Sequence, residues 1–341
     1  MSYTNGLDKP TDYFNTKLYT GDGSASNRSL TGLDFSPDLV WNKSRSNAYN
    51  HYLFDSVRGA GQLIFPNDIA SEQDKSAEFI SFDSNGFTVK NDAGSLAINA
   101  SSVTFANWCW KKSTTSGFDI VLYTGNASGS ARAISHSLGT TPAFMITKHR
   151  AGTQTTGTNN WNIFHKSFSA GDYIHFTSGA KLNASQYWGN TLPTSSNFYV
   201  GGDSANVHNE SGVTYVAYLF GEKKGYSKFG SYTGNGSSDG SYIHLGFKPA
   251  WVMIKRTDTS GAHWVMHDTK RDPFNVMDKR LWASLSNAET TDSIYNIDFL
   301  SNGLKIRNTN TLVNASGGTY ILMAFASEPF TTSTGIPTTA R

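Results

Sequence analysis

The sequence predicts an all-β protein built from three tandem β-sandwich domains, jelly-roll-like in their connections and related by an internal repeat. Two observations lead to this prediction. Short apolar segments rich in Val, Ile, Phe, Tyr and Trp alternate with Gly, Asn, Asp and Ser clusters that favour turns. In addition, four short phrases return in the same order at a spacing of about 105 residues. Helical apolar spacing never persists beyond about two turns, and only residues 278–285 suggest a short helix or helical turn.

The four phrases each have a recognisable form. The first phrase is a Tyr-Thr-Gly opening, and the second is an apolar run that begins with a proline and ends with a lysine six residues later. The third is a Ser-Asn-Gly turn between apolar residues, and the closing phrase is a strand that begins with Thr and an aromatic residue. The second copy lacks the glycine of the turn. The phrases lie at 18–23, 122–126 and 231–236; at 37–43, 142–148 and 249–255; at 82–87, 195–199 and 299–304; and at 104–110, 214–220 and 319–325.

These landmarks divide the chain into five segments. The segments are an N-terminal lead at 1–12, repeats at 13–113, 117–223 and 225–329, and a C-terminal tail at 330–341. The linkers between repeats are short, so neighbouring repeats are expected to touch. Whether they pack in a line or in a triangle is not determined by the sequence.

The closing strand shows which residues enter a core. Its large side chains fall at every second position, as in Trp108 and Trp110, which places one face of the strand in a core. The same alternation recurs in the second and third repeats. Cys109, the single cysteine, is interpreted as a small buried apolar residue rather than a reactive thiol.

The composition argues against several partners. The net charge is +2 and no run of five basic residues occurs, so nucleic acid is not expected as a partner. No signal peptide is recognisable and no apolar stretch approaches the roughly 18 residues that span a bilayer. We therefore expect no membrane insertion, and assembly in a cytoplasm.

The charged residues give no catalytic pattern. Asp55 and Asp268 follow similar phrases, but the second repeat has His165 near that place. A strand-end carboxylate bonded to backbone amides explains them better than a catalytic acid does. His263 and His267 lack a third ligand, so neither a metal site nor a cofactor is expected. The sequence thus predicts a protein that is not an enzyme.

Three tryptophans are the candidates for ligand binding. Trp161, Trp188 and Trp282 lie in loop-rich stretches outside the four phrases. Flat amphipathic rings beside Asn, Ser and Thr suit sugar rings or a protein partner. The alternative, weighted equally, is that these rings cap the ends of their own sandwiches.

The phrases resemble the tandem domains of virion proteins of tailed bacteriophages, especially marine phages. The resemblance is clearest at 247–255, 82–87 and 53–59, covers nearly the whole chain and is weakest in the second repeat. It implies a structural protein of the virion that contacts other tail or capsid proteins. The leading interpretation is a tail fibre, spike or tip component that binds host-surface glycans, and capsid decoration is the alternative. A polysaccharide-degrading enzyme ranks below both.

Threefold symmetry could arise in two ways. Three repeats could form one pseudo-threefold body, or three chains could bundle into a homotrimeric fibre. The sequence does not separate these arrangements.

Overall fold

The computed structural model describes residues 7–91, 96–152, 160–201 and 208–338. Antiparallel strands dominate this part of the chain, and they form sheets packed face to face. The prediction of an all-β, sandwich-type fold is confirmed. Across the described residues, no helix has the length and apolar character needed to cross a membrane.

The strands of the first repeat fall between Phe14 and Trp110. A 3₁₀ turn at Pro10–Asp12 precedes them. The strands are β1 (Phe14–Thr20), β2 (Arg28–Thr31), β3 (Leu39–Ser44), β4 (Tyr52–Asp55), β5 (Gln62–Leu63), β6 (Gln73–Asp74), β7 (Phe79–Asp83), β8 (Gly86–Val89) and β9 (Thr104–Trp110).

The second repeat has one strand fewer, because no strand corresponds to β7 among its described residues, and it has a 3₁₀ turn at Trp188–Asn190. Its strands are β10 (Phe118–Thr124), β11 (Arg132–Ser135), β12 (Phe144–Ala151), β13 (Asn162–His165), β14 (Asp172–His175), β15 (Leu182–Asn183), β16 (Asn197–Val200) and β17 (Thr214–Phe220).

The third repeat adds a 3₁₀ turn at Ser293–Tyr295 and one short helix, α1 (Thr311–Asn314). Its strands are β18 (Ser227–Thr233), β19 (Tyr242–His244), β20 (Phe247–Arg256), β21 (Val265–Asp268), β22 (Lys279–Trp282), β23 (Thr290–Thr291), β24 (Ile297–Leu300), β25 (Gly303–Ile306) and β26 (Thr319–Pro329).

Each repeat folds by nested strand pairing. In the first repeat the larger sheet has the order β1-β9-β3-β4, so the first strand pairs with the last. The smaller sheet, β2-β8-β7, pairs the second strand with the penultimate one. The third repeat repeats this scheme in β18-β26-β20-β21-β22-β23 and β19-β25-β24. Such nesting gives a jelly-roll-like sandwich.

The larger sheet is buried on both faces. Along β9, Phe105 and Cys109 face the sandwich core of the first repeat, while Ala106, Trp108 and Trp110 belong to a different cluster that includes side chains of all three repeats. Successive strand residues point to opposite faces, which explains why nearly every residue of β3 and β9 is buried. The large alternating residues of the closing strand therefore fill a core between repeats.

Local predictions have mixed outcomes. The Ser-Asn-Gly phrase forms a hairpin turn in both repeats that carry it, between β7 and β8 and between β24 and β25. The suggested helix at 278–285 is wrong, because Lys279–Trp282 is strand β22. There Leu281 and Trp282 pair with Met266 and Val265 of β21, and these tertiary contacts override the weak helical pattern.

Candidate functional site

The three repeats meet around a triangle of aromatic rings. Trp110, Phe220 and Phe325 are the last aromatic residues of the three closing phrases. Their ring centroids lie 5.6 Å, 5.9 Å and 6.3 Å apart, with interplanar angles of 69°, 62° and 67°. Edge-to-face contacts at such distances are favourable. Three equivalent residues in nearly equal mutual contact define a pseudo-threefold arrangement of repeats.

The contacts between repeats run in a ring. In each repeat the residue just before a short strand, β6, β15 or β23, donates its backbone N–H to the end of the third-strand segment in the next repeat, and the last repeat returns to the first. The pairs are Glu72 N to Arg150 O at 3.0 Å, Lys181 N to Thr257 O at 2.8 Å, and Glu289 N to Arg45 O at 2.8 Å. We call these boundaries the 1/2, 2/3 and 3/1 seams. The repeats thus form a closed triangle rather than a line.

Every seam contains, at the same place, a hydrogen bond from a ring nitrogen to a backbone carbonyl oxygen. Trp161 Nε1 donates to Phe65 O at 2.8 Å, and Trp264 Nε1 donates to His175 O at 2.9 Å. In the 3/1 seam His51 takes the place of the tryptophan. Its Nδ1 accepts a hydrogen bond from Trp41 Nε1, so its Nε2 carries the proton and donates to Trp282 O at 2.8 Å. Burial keeps the pKa of His51 well below its usual value.

A buried lysine at the end of the second phrase lies beside each seam. Lys43 donates to Ser286 O of the third repeat at 2.9 Å, and Lys148 donates to Ile69 O of the first repeat at 2.9 Å. Lys255 donates to Ala262 O at 2.5 Å within its own repeat. Burial lowers the pKa of all three to about 7, because the charged ammonium loses hydration there.

The 1/2 seam contains a buried ion-pair network. Glu72 of the first repeat accepts from Arg150 of the second through both carboxylate oxygens, at 2.8 Å and 2.9 Å. Arg58, whose side chain is fully buried, reaches Glu72 at 3.0 Å and also pairs with Asp55. Tyr218 donates to Asp55 Oδ2 at 2.7 Å across the same seam. Burial would raise the pKa of Glu72, but hydrogen bonds from Arg150 and the charge of Arg58 hold it below its usual value.

The 3/1 seam repeats this network with equivalent residues. Glu289 of the third repeat accepts from Arg45 of the first at 2.8 Å and 3.0 Å. Arg271 reaches Glu289 at 3.0 Å and pairs with Asp268, which also accepts from Trp108 Nε1 at 3.1 Å. The pKa of Glu289 is lowered too, because Arg45 and Arg271 outweigh the effect of burial.

The 2/3 seam departs from this pattern. His165 takes the place of Asp55 and Phe168 that of Arg58, while Lys181 stands where the other seams have a glutamate. Lys181 pairs with Asp172 at 2.7 Å, inside its own repeat. Thr257 stands where the other seams have Arg45 and Arg150, and the neighbouring Arg256 pairs with Asp258 at 2.7 Å inside its own repeat. The glutamate-arginine network that joins the other two seams is therefore missing here.

A surface groove follows the 2/3 seam, and we call it the 2/3 groove. Two adjoining depressions of about 370 Å³ each share Ser167, Ser231 and Tyr232. The first is lined by residues 165–167, 228–232 and 242–244, and the second by 167–168, 181, 231–233, 257 and 319–321. Each volume is within the usual range of small-molecule sites.

The three candidate tryptophans are all buried. Trp188 is fully enclosed in the second repeat, where its Nε1 donates to Asp172 O at 3.0 Å. Trp282 packs against Arg280 and Tyr295 inside the third repeat. Trp161 is 3% exposed, lies in the 1/2 seam and lines a depression of about 340 Å³. None of the three offers an open face to a sugar ring in this conformation.

The acidic candidates make structural contacts. Asp55 Oδ1 accepts from the backbone N–H of Arg58 at 2.8 Å, and Asp268 Oδ1 accepts from that of Arg271 at 2.9 Å. This is the strand-end bonding expected from the sequence. His263 and His267 belong to no cluster that could hold a metal, as far as the described residues show. Cys109 is buried, and burial raises the pKa of its thiol.

Trp161, Asp55 and Asp268 were singled out from the sequence, but the other charged residues of the seams were not predicted, although two signals point to them. Asp-x-x-Arg recurs at 55–58 and 268–271, which places both charges at the end of a strand. The lysine that ends the second phrase also recurs in all three repeats amid apolar neighbours. A charge kept at one place of a repeated apolar segment indicates a buried, partnered group.

Comparison with known proteins gives a family and little beyond it. No curated protein matches the chain. One similar solved structure is the major capsid protein P2 from Bacteriophage PM2, at 11% identity, which covers 61% of this chain and 97% of that chain. Its TM-score is 0.19, too low to support a conclusion about fold or function. A family described as "Domain of unknown function (DUF7483)" matches residues 9–329. Because this match includes all three repeats, the chain belongs to the DUF7483 family.

Proposed function

We propose that the protein is a non-enzymatic structural component of a bacteriophage virion, assembled in the host cytoplasm. Its proposed place is the tail, as a fibre, spike or tip component that recognises the host surface. The observation that carries the proposal is the closed ring of repeats around Trp110, Phe220 and Phe325. A body with built-in threefold symmetry can dock on a threefold site through three similar contacts. The resemblance to phage virion domains supports the same role.

A structural role agrees with the way that the acidic residues are used. Asp55 and Asp268 are buried, bonded to backbone amides and paired with Arg58 and Arg271. A general acid or base must instead reach a substrate and exchange a proton with it. An assay for shortened host polysaccharide chains tests this part, and measurable cleavage would contradict it.

Capsid decoration is the second candidate function. The burial of Trp161, Trp188 and Trp282 favours it, because it removes the aromatic platforms that host recognition was expected to use. Immunogold labelling of intact virions, together with the copy number of this chain relative to the capsid protein, separates the two. Label at the tail with a few to a few dozen copies supports host recognition. Label over the head with hundreds of copies supports decoration, and absence from the virion contradicts both.

The ring also bears on oligomeric state. Three repeats of one chain already enclose the central aromatic residues, so a threefold body needs no second chain. We therefore favour a monomeric ring over a homotrimeric bundle. Sedimentation equilibrium tests this, with 37.2 kDa expected for the monomer. A mass three times larger would support the bundle.

A further inference from the structure

We propose that the 2/3 groove binds a short oligosaccharide that carries carboxylate groups. This inference rests on the proposed role in host recognition and names the class of ligand. The groove lies at the seam whose described residues lack the glutamate-arginine network. Three features of the lining suit such a ligand: its open space, its charge and its aromatic and hydrogen-bonding groups.

The space arises from two small residues on β18. Strand register makes Ser231 the counterpart of Leu18 and Leu122 in the other repeats. Both leucines pack against the central cluster, whereas Ser231 is exposed and leaves that volume open. Gly230 likewise stands where the second repeat has Val121.

The fold does not require the glycine. A Cβ atom at Gly230 would meet the side chain of Leu322 at 3.6 Å, an ordinary van der Waals distance. Its backbone is not in the left-handed region that favours glycine. A larger residue is therefore compatible with the strand, and the absence of a side chain serves to keep the groove open.

The charge of the lining is positive. Lys166, Lys181 and Lys228 line the groove, and neither Asp nor Glu does so among the described residues. The carboxylate of Glu222 pairs with both Lys166 and Lys228, and Asp172 pairs with Lys181. Two carboxylates beside three ammonium groups leave one excess positive charge at the groove, which complements a carboxylated ligand.

The remaining groups suit a sugar. Tyr242 is 46% exposed and presents an aromatic ring at one end of the groove, next to His244. Ser167, Ser231 and Thr257 line the rest, and the Ser231 side chain is exposed. The hydroxyls of Ser167 and Thr257 also bond to His165 and Thr319, respectively. An aromatic face for the ring, hydroxyls for its hydroxyl groups and lysines for its carboxylates together describe an acidic saccharide.

The test is isothermal titration of the full chain with trigalacturonate, and with maltotriose as the neutral probe. We expect trigalacturonate to bind, to bind at least tenfold more tightly than maltotriose, and to weaken as salt rises. Ser231→Leu restores the residue of the other repeats and should abolish binding while the melting temperature stays within about 2 °C of wild type. Lys228→Gln, which adds no volume, should weaken binding about fivefold.

A matched aromatic pair provides the control. Tyr242→Ala should weaken binding about tenfold, whereas Phe274→Ala, which removes a 79% exposed ring outside the groove, should not change it. Failure of trigalacturonate to bind, equal binding of maltotriose, or full binding by Ser231→Leu each overturns the inference. Because titration uses purified protein, it can fail while virion labelling succeeds, and the two proposals are tested separately.

Discussion

The ion-pair network of the 3/1 seam allows a sharp test of ring closure. Glu289 is 12% exposed at its side chain and accepts two hydrogen bonds from Arg45 and one from Arg271. In Glu289→Gln, Arg271 keeps Asp268 but Arg45 loses its only carboxylate partner among the ion pairs described. Removing one partner of a buried pair costs about 3–5 kcal/mol. The free energy of unfolding should fall by this amount.

The expected change in melting temperature follows from chain length. With an unfolding entropy of about 2.1 cal/mol/K per residue, the chain of 341 residues unfolds with about 0.7 kcal/mol/K if the ring melts as one unit. The substitution should then lower the melting temperature by about 4–7 °C. Scanning calorimetry measures both the shift and the number of transitions.

The chain supplies a matched control at the 2/3 seam. Arg256 ends β20, next to Thr257, the counterpart of Arg45, and its partner Asp258 lies in the same repeat and is 34% exposed. Asp258→Asn should cost only about 0.2–1 kcal/mol. Equal shifts for the two variants, or a fall below 2 °C for Glu289→Gln, would refute the argument that this carboxylate holds the ring closed.

Four further outcomes are expected. Because the pKa of Glu72 is lowered in the folded protein, its ionised carboxylate stabilises the fold above the usual pKa of 4.5, and this stabilisation is lost as pH falls below that value. The loss of unfolding free energy in Glu72→Gln, measured by urea titration, should therefore shrink below pH 4.5. Burial lowers the pKa of Lys148 to about 7, so between pH 7 and 9 the unfolded chain holds a proton that the folded chain has lost, and the free energy of unfolding should rise with pH. Lys148→Met should reduce the slope of that free energy against pH by up to about 1.4 kcal/mol per pH unit. An unchanged slope would count against a neutral buried amine. Trp161→Ala should destabilise the protein by about 3–5 kcal/mol, and a binding loss without a thermal shift would return Trp161 to the ligand-binding candidates. Phe220→Ala should cost a similar amount and lower a single calorimetric transition, whereas separate transitions would indicate repeats that melt alone.

Local signals in the sequence account for much of each sandwich. Period-two alternation identified the buried face of β9, and Ser-Asn-Gly located the hairpin turns, because strand pleat and turn conformation depend on neighbouring residues. The same alternation could not tell which core Trp108 and Trp110 enter. Both faces of the strand are buried, and a pattern along one chain segment does not identify the partner on each side.

The seams could not be predicted for a related reason. Arg45 and Glu289 are separated by 244 residues, and Glu72 and Arg150 by 78. Nothing in either local segment specifies the other. The candidate tryptophans failed to appear on the surface because a loop-rich context indicates turns, and turns can still cover a buried ring.

The long separation across the 3/1 seam has a consequence for synthesis on the ribosome. The first repeat is complete by residue 110, yet the side chains that cover its inner sheet face include Trp251 and Phe325. Until the last strand has left the exit tunnel, that apolar face has no permanent cover, and a nascent chain in this state is prone to associate with its neighbours. Truncation before β26 should thus give aggregates rather than a shorter folded protein, and nascent chains should recruit chaperones until β26 has emerged.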